Sequence, residues 1–190
     1  MMAATHRLGG LAAGMAIAAV LHTSPADTGV IIAGAVLGSL VPDIDNRQSC
    51  ISRKWKIASL AVSAGQAVIR GLSNLLPRKQ KKYVRSLIGH RGLTHSLAAA
   101  VLIPLVVVAG GEFLKNSITG IYAAYGMSAG ILSHLLFDIF AGGVPLLMPF
   151  SVKRVCFARI KTGGLIEWIF RIILIIVFAC FGMEVFLWQK

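Results

Sequence analysis

At 190 residues the chain has the length of one domain, and its 56% hydrophobic and 14% charged residues exclude an ordinary water-facing globule, in which roughly 25% of residues are charged. Mean hydropathy is +0.78. The remaining charge is lopsided, with 19 Lys+Arg against 7 Asp+Glu, and on so apolar a background it predicts an anionic membrane surface as partner and no nucleic acid.

The first apolar stretch runs from Leu8 to Leu21, after His6 and Arg7. Its order, basic and then apolar, is that of a signal peptide, but no small-x-small cleavage site follows, so it is read as retained. The second stretch runs from Gly29 to Val41. Both are shorter than the about 20 residues of a full span, which predicts short or tilted crossings or a helical hairpin within the membrane. Gly9, Gly10, Gly14, Gly34 and Gly38 predict close helix packing.

The connection from Pro42 to Arg91 holds most of the chain's Lys and Arg. Within it, Trp55 to Leu76 has apolar residues at helical spacing broken by Lys56, Gln66 and Arg70, which predicts an amphipathic interfacial helix. The run Arg78-Lys79-Gln80-Lys81-Lys82 suits anionic lipid headgroups, and equally a solvated charge run that sets topology.

The third, fourth and fifth stretches are Leu93 to Ala109, Ile118 to Phe140 and Leu165 to Trp188, and the last two are long enough to span. The fifth is apolar all round and predicted to face lipid, with Arg171 near its start. Lys115 is the basic residue between the third and fourth stretches, whereas Lys153, Arg154, Arg159 and Lys161 follow the fourth. The positive-inside rule then puts the N-terminus and both basic connections in the cytoplasm. The expected fold class is all-α: a polytopic membrane protein of about five apolar helices, some short, with one amphipathic interfacial helix. Nothing in the sequence sets its oligomeric state.

On that topology the His, Asp and Glu residues separate. His22, Asp27, Glu112 and Glu184 fall at the outer side, and His6, Asp43, Asp45, His90, His95, His134, Asp138 and Glu167 at the cytoplasmic ends. His134 and Asp138 are four apart on a helix and share a face. Asp43 and Asp45 follow Pro42 on a turn and can reach one ion or bridge two. His90 and His95 straddle a helix start at Gly92 that Thr94 or Ser96 can cap. Taken singly, each has a plainer reading: an interfacial His6, turn-capping aspartates, a polar His134–Asp138 pair between helices, and Glu167 favoured by a helix N-terminus. Gathered at one depth in an apolar protein, they read as a metal site.

Four histidines with three or four carboxylates exceed the needs of one structural zinc. They suit a catalytic centre of about two divalent transition-metal ions, Zn²⁺ or Mn²⁺. Such a pair activates a water for in-line displacement at a phosphoester. The chain carries no GxSxG elbow and no P-loop. In this reading His6, Asp43, Asp45, His90, His95, His134 and Asp138 are ligands. Glu167 or a ligand carboxylate is the general base, and Arg91 stabilises phosphoryl oxygens or is simply an interfacial charge. The substrate expected at headgroup depth is a phospholipid or lipid-linked phosphoester.

The strings Val41-Pro42-Asp43-Ile44-Asp45-Asn46, Gly89-His90-Arg91-Gly92-Leu93-Thr94-His95-Ser96 and Ser133-His134-Leu135-Leu136-Phe137-Asp138 resemble those of the YdjM family, the LexA-regulated inner-membrane proteins of bacteria. Gly143 to Pro149 and Thr162 to Glu167 resemble the family's later elements, so the likeness runs in order from residue 6 to about 170. It implies a bacterial inner-membrane location and metal-dependent hydrolysis. A looser likeness in ligand types to zinc phospholipases C favours phosphoesters by analogy. The competing class is a non-enzymatic metal-binding membrane protein, an ion carrier or sensor. A carrier would place its ligands near the midplane between inverted repeats, which this sequence does not show.

Overall fold

The computed structural model describes residues 2–45, 56–89 and 91–189, with the backbone alone at Asp45 and Ala58. The described residues form seven α-helices and no strand. Two isolated bridges, Ala141 with Arg159 and Val144 with Val155, fold the connection after the sixth helix back on itself.

Helix α1 is Ala3–Val20 and α2 is Pro25–Gly38. The Ser24 side chain accepts from the Asp27 amide at 3.2 Å and Pro25 opens the first turn, so α2 starts where an N-cap and a pre-set φ favour it. A 3₁₀ turn, Val41–Asp45, ends this hairpin. Helices α3, Lys56–Leu72, and α4, Arg78–Leu87, make the basic connection. Another 3₁₀ turn, Leu93–His95, precedes α5, Leu97–Phe113, and α6, Ser117–Phe140, returns beside it. The chain closes with α7, Leu165–Trp188.

Helix α6 is central, packed against α1, α2 and α5, while α7 lies on α1. Glycine on both sides makes the α2–α6 contact a backbone-to-backbone one. A Cβ at Gly126 would stand 2.0 Å from the Ile31 carbonyl, and one at Gly130 the same distance from that of Ala35. The reciprocal pair is as close: Gly34 against Ala123 and Gly38 against Met127, with clashes at 2.4 and 2.3 Å. Small residues four apart on each helix therefore set the crossing, as they do where lipid supplies no hydrophobic drive.

The five apolar stretches all form helices, but two of them, α6 and α7 at 24 residues each, have the length and apolarity of a membrane crossing. At 14 residues α2 is about 21 Å long against an apolar thickness of about 30 Å, so five full crossings do not follow from the helix lengths. Helix α7 meets the expectation of a lipid-facing segment. Ile166, Ile169, Ile172, Ile173 and Ile176 are all about half exposed, an apolar surface that water does not tolerate. Arg171 is the exception on it and turns inward, as described below.

The amphipathic helix expected over Trp55 to Leu76 forms as Lys56–Leu72 with a 3₁₀ turn at Ser73–Leu75; Trp55 lies outside the described residues. It is built inside out for water: Ser59 and Ser73 are buried while Ile57, Leu60, Leu72 and Leu75 are exposed. It packs on the Val41–Asp45 turn. The Tyr83 hydroxyl donates to the Pro149 carbonyl and ties α4 to the connection after α6.

Candidate metal centre

The α1–α2–α6 crossing delivers four segments to one end of the bundle. His6 comes from the start of α1, Asp43 from the turn after α2, His95 from the turn before α5, and His134 with Asp138 from the end of α6. His6, His95, His134 and Asp138 are buried. Two trios have ligand atoms within 4.8 Å of one another: His6, His134 and Asp138, and Asp43, His95 and His134.

The spacings are those of donors that could share one ion. Asp138 Oδ1 lies 3.6 Å from His6 Nε2, and Asp138 Oδ2 lies 3.6 and 3.7 Å from the Nε2 atoms of His95 and His134. Asp43 Oδ1 is 3.7 and 3.9 Å from those same two nitrogens. These are longer than a hydrogen bond, about 2.7–3.2 Å. A tetrahedral ion with ligands at about 2.0–2.2 Å holds neighbouring donors about 3.4 Å apart, close to what is seen.

Tautomers agree. His134 Nδ1 is 2.7 Å from the Ser39 carbonyl, which can only accept, so Nδ1 carries the proton and Nε2 presents its lone pair. That Nε2 is buried without a hydrogen-bond partner, a costly state that a bound cation would relieve. The His6 and His134 rings stack with centroids 3.9 Å apart, so one layer of imidazole faces the carboxylates. Thr94 Oγ1 lies 3.1 Å from His95 Nδ1 and orients the third ring. Burial by itself would raise the Asp43 carboxyl. The nearby imidazoles of His95, His134 and His6 outweigh burial and hold it well below the usual carboxylate range.

Close packing places these groups. Gly130 is one turn before His134, and Gly38 directly precedes Ser39, so the glycine crossing is what brings the imidazole onto that carbonyl. A Cβ at Gly92 would lie 2.2 Å from the Leu87 carbonyl, which explains the glycine in the turn. Ser96 caps α5 by accepting from the Ala99 amide at 3.3 Å.

Arg91 joins the group. It holds a left-handed φ of 57°, uncommon outside glycine, and its guanidinium reaches Asp138 Oδ1 at 3.3 Å and the Gly143 carbonyl at 3.4 Å. His90 and the Asp45 side chain lie outside the described residues. Glu167 is placed elsewhere. It is fully buried in a second cluster, accepting from the Met2 amide at 2.6 Å, the Gly163 amide at 2.7 Å and the Thr5 hydroxyl. Arg171 completes that cluster, with Nε 2.9 Å from Thr5 Oγ1 and Nη2 3.7 Å from Glu167. Glu167 thus ties the start of α1 to α7 and is absent from both trios of potential ligands. His22, whose ring lies tilted against Trp188 with centroids 4.0 Å apart, and Asp27, bonded to Ser24, sit at the opposite end, as expected.

Sequence reasoning missed the orienting groups. Nothing in side-chain chemistry marks the Ser39 carbonyl. Thr94 was legible only as a cap, although its place beside His95 is the signal that could have found it.

Lipid-facing helices around a buried cluster of histidines and aspartates define a helical membrane protein with a candidate metal centre at one end. The chain belongs to the YdjM inner membrane protein family, whose profile matches residues 1–190. It is similar to the uncharacterized protein YvsG of Bacillus subtilis (strain 168), with 28% identity over 164 residues, 86% of this chain and 82% of the relative. It is also similar to inner membrane protein YdjM of Escherichia coli (strain K12) and of Shigella flexneri. Each shows 33% identity over 123 residues, 63% of this chain and 49% of the relative, so the match spans about half the length of those two proteins. No solved structure matches the chain.

Proposed function

We propose that this protein is a membrane-bound, metal-dependent hydrolase that cleaves a phosphoester of a phospholipid or lipid-linked substrate at the cytoplasmic face of the bacterial inner membrane. The observation that carries this reading is the convergence of His6, Asp43, His95, His134 and Asp138, from four chain segments, at ligand spacing in a buried pocket. The helices α1, α2 and α5 enter the bilayer beside α6 and α7, and the basic α3 and α4 lie on the cytoplasmic headgroups.

A bound Zn²⁺ or Mn²⁺ would supply a water of lowered pKa and a Lewis acid for the phosphoryl oxygen. The chain's own residues do the rest. His134, fixed by Ser39, and His95, fixed by Thr94, hold their Nε2 lone pairs in place. The two trios share His134, whose Nδ1 is committed to Ser39, so these donors build one ion site. A second ion would need ligands beyond these five, and the further candidates from the sequence, Asp45 and His90, lie outside the described side chains. A carboxylate of the centre, Asp43 or Asp138, would take the proton from the attacking water, since Glu167 lies in the separate cluster with Met2 and Gly163 and outside both trios. Arg91 donates to the phosphoryl oxygens from beside Asp138.

Membrane vesicles of both orientations test activity and sidedness together. Inverted vesicles given a water-soluble phosphoester should release product in the presence of Zn²⁺ or Mn²⁺ and stop when a chelator is added. Right-side-out vesicles should be silent until permeabilised. Chelator-insensitive turnover, or turnover in intact right-side-out vesicles only, is the contrary result.

A further inference from the structure

Beside the metal centre is a cavity of about 200 Å³ that the ligand set does not use. Pro145 and Met148, both buried, floor it. Ser86 at the end of α4, Arg91 and the exposed Arg154 line its walls. Among the described residues no carboxylate lines it. Arg91 belongs to both places, since its Nη2 lies 3.3 Å from Asp138. Guanidinium groups are forks that match phosphate oxygens, and two in one small lining without an acid select an oxyanion. The volume is below the roughly 300–1,000 Å³ of sites that enclose drug-sized ligands, so it fits a single group. Arg78, Lys79, Lys81 and Lys82 on α4 add a field of the same sign.

We propose that Arg91, Arg154 and Ser86 form a phosphate subsite adjoining the metal centre, which holds a second phosphate of the substrate while the first is hydrolysed. The substrate class then narrows to lipid phosphoesters that carry a further phosphate. This rests on the hydrolase reading for its role and on the cavity for its existence.

The test is calorimetric titration of inorganic phosphate into metal-loaded, full-length protein in detergent. Arg154→Ala should weaken binding by about tenfold or more, as loss of a charge-assisted contact does. Arg154→Lys should recover part of that loss. Lys153→Ala removes the same charge from an exposed neighbour outside the cavity lining and should change binding by less than about twofold. Equal binding by wild type and Arg154→Ala overturns the subsite, as does an equal loss in Lys153→Ala, which would mean diffuse attraction only. Repeating the titration in a His134→Ala background separates the two claims. Arg154 dependence that persists there keeps the subsite even if the metal reading fails, and dependence that vanishes with the metal overturns the subsite. Phosphatidic acid vesicles that displace phosphate where phosphatidylcholine vesicles do not assign the group to lipid. Displacement by neither assigns the subsite to free phosphate and overturns its role as a substrate contact.

Discussion

Alanine at any one of Asp43, His95, His134 or Asp138 should lower phosphoester hydrolysis by more than about 100-fold while membrane insertion stays intact. The size of the effect follows from sharing. Asp138 lies near all three imidazoles, and His134 belongs to both trios, so no remaining donor replaces either. Asp43 and His95 sit in 3₁₀ turns at the bundle's end, where truncation leaves the glycine crossing of α2 and α6 untouched. Substitutions of the same chemistry at His22, Asp27 and Glu112, at the other end of the helices, should leave turnover within about twofold of wild type, as surface changes remote from a site usually do. Comparable losses at both ends would mean that the changes act through folding and not through the centre. Full activity in the Asp43→Ala, His95→Ala double variant would remove the hydrolase reading altogether.

Gly130→Val should unfold or displace the same centre without touching a ligand. Its first added carbon would meet the Ala35 carbonyl at 2.0 Å and the Ser39 amide at 2.7 Å, both backbone, so the two helices must separate. Overpacking of this kind costs about 1–3 kcal/mol in well-packed interiors, and here it falls on the contact that puts Ser39 against His134. The expected result is a lower thermal midpoint in detergent together with loss of metal. Gly29→Val and Gly65→Val, where a Cβ meets nothing within 4 Å, are the matched controls. A Gly130→Val protein with wild-type midpoint and metal content would show that the close crossing does not position the site.

Much of this was legible because apolar period and polar punctuation agree. The stretches Ile118 to Phe140 and Leu165 to Trp188 match α6 and α7 within a residue, bounded by Asn116 and by Gly163-Gly164. The first apolar stretch opens only at Leu8, after the observed helix start at Ala3, because Thr5, His6 and Arg7 look like a polar lead-in. The helix runs through Thr5 and His6 because each has a buried partner supplied by distant chain: Glu167 for one, Asp138 and the His134 ring for the other. The third stretch began too early, at Leu93, because the Leu93–His95 turn is apolar enough to pass for helix until Ser96 caps the real one. The sequence locates Glu167 at a helix start, where the structure has it, but its engagement with Thr5 joins residues 162 positions apart and has no local signature. Arg154 read as one charge in a basic run, and only the fold of 141–160 sets it across a cavity from Ser86.

The central claim, a metal held by His134 and its neighbours, is tested most directly by elemental analysis of the full-length protein purified without chelators, beside its His134→Ala variant. A site built on these residues predicts stoichiometric transition metal, at least one ion per chain, in the wild type and roughly a tenth of that or less in the folded variant, because His134 belongs to both trios of donors. Folded wild-type protein free of metal, or equal metal in both proteins, would contradict it.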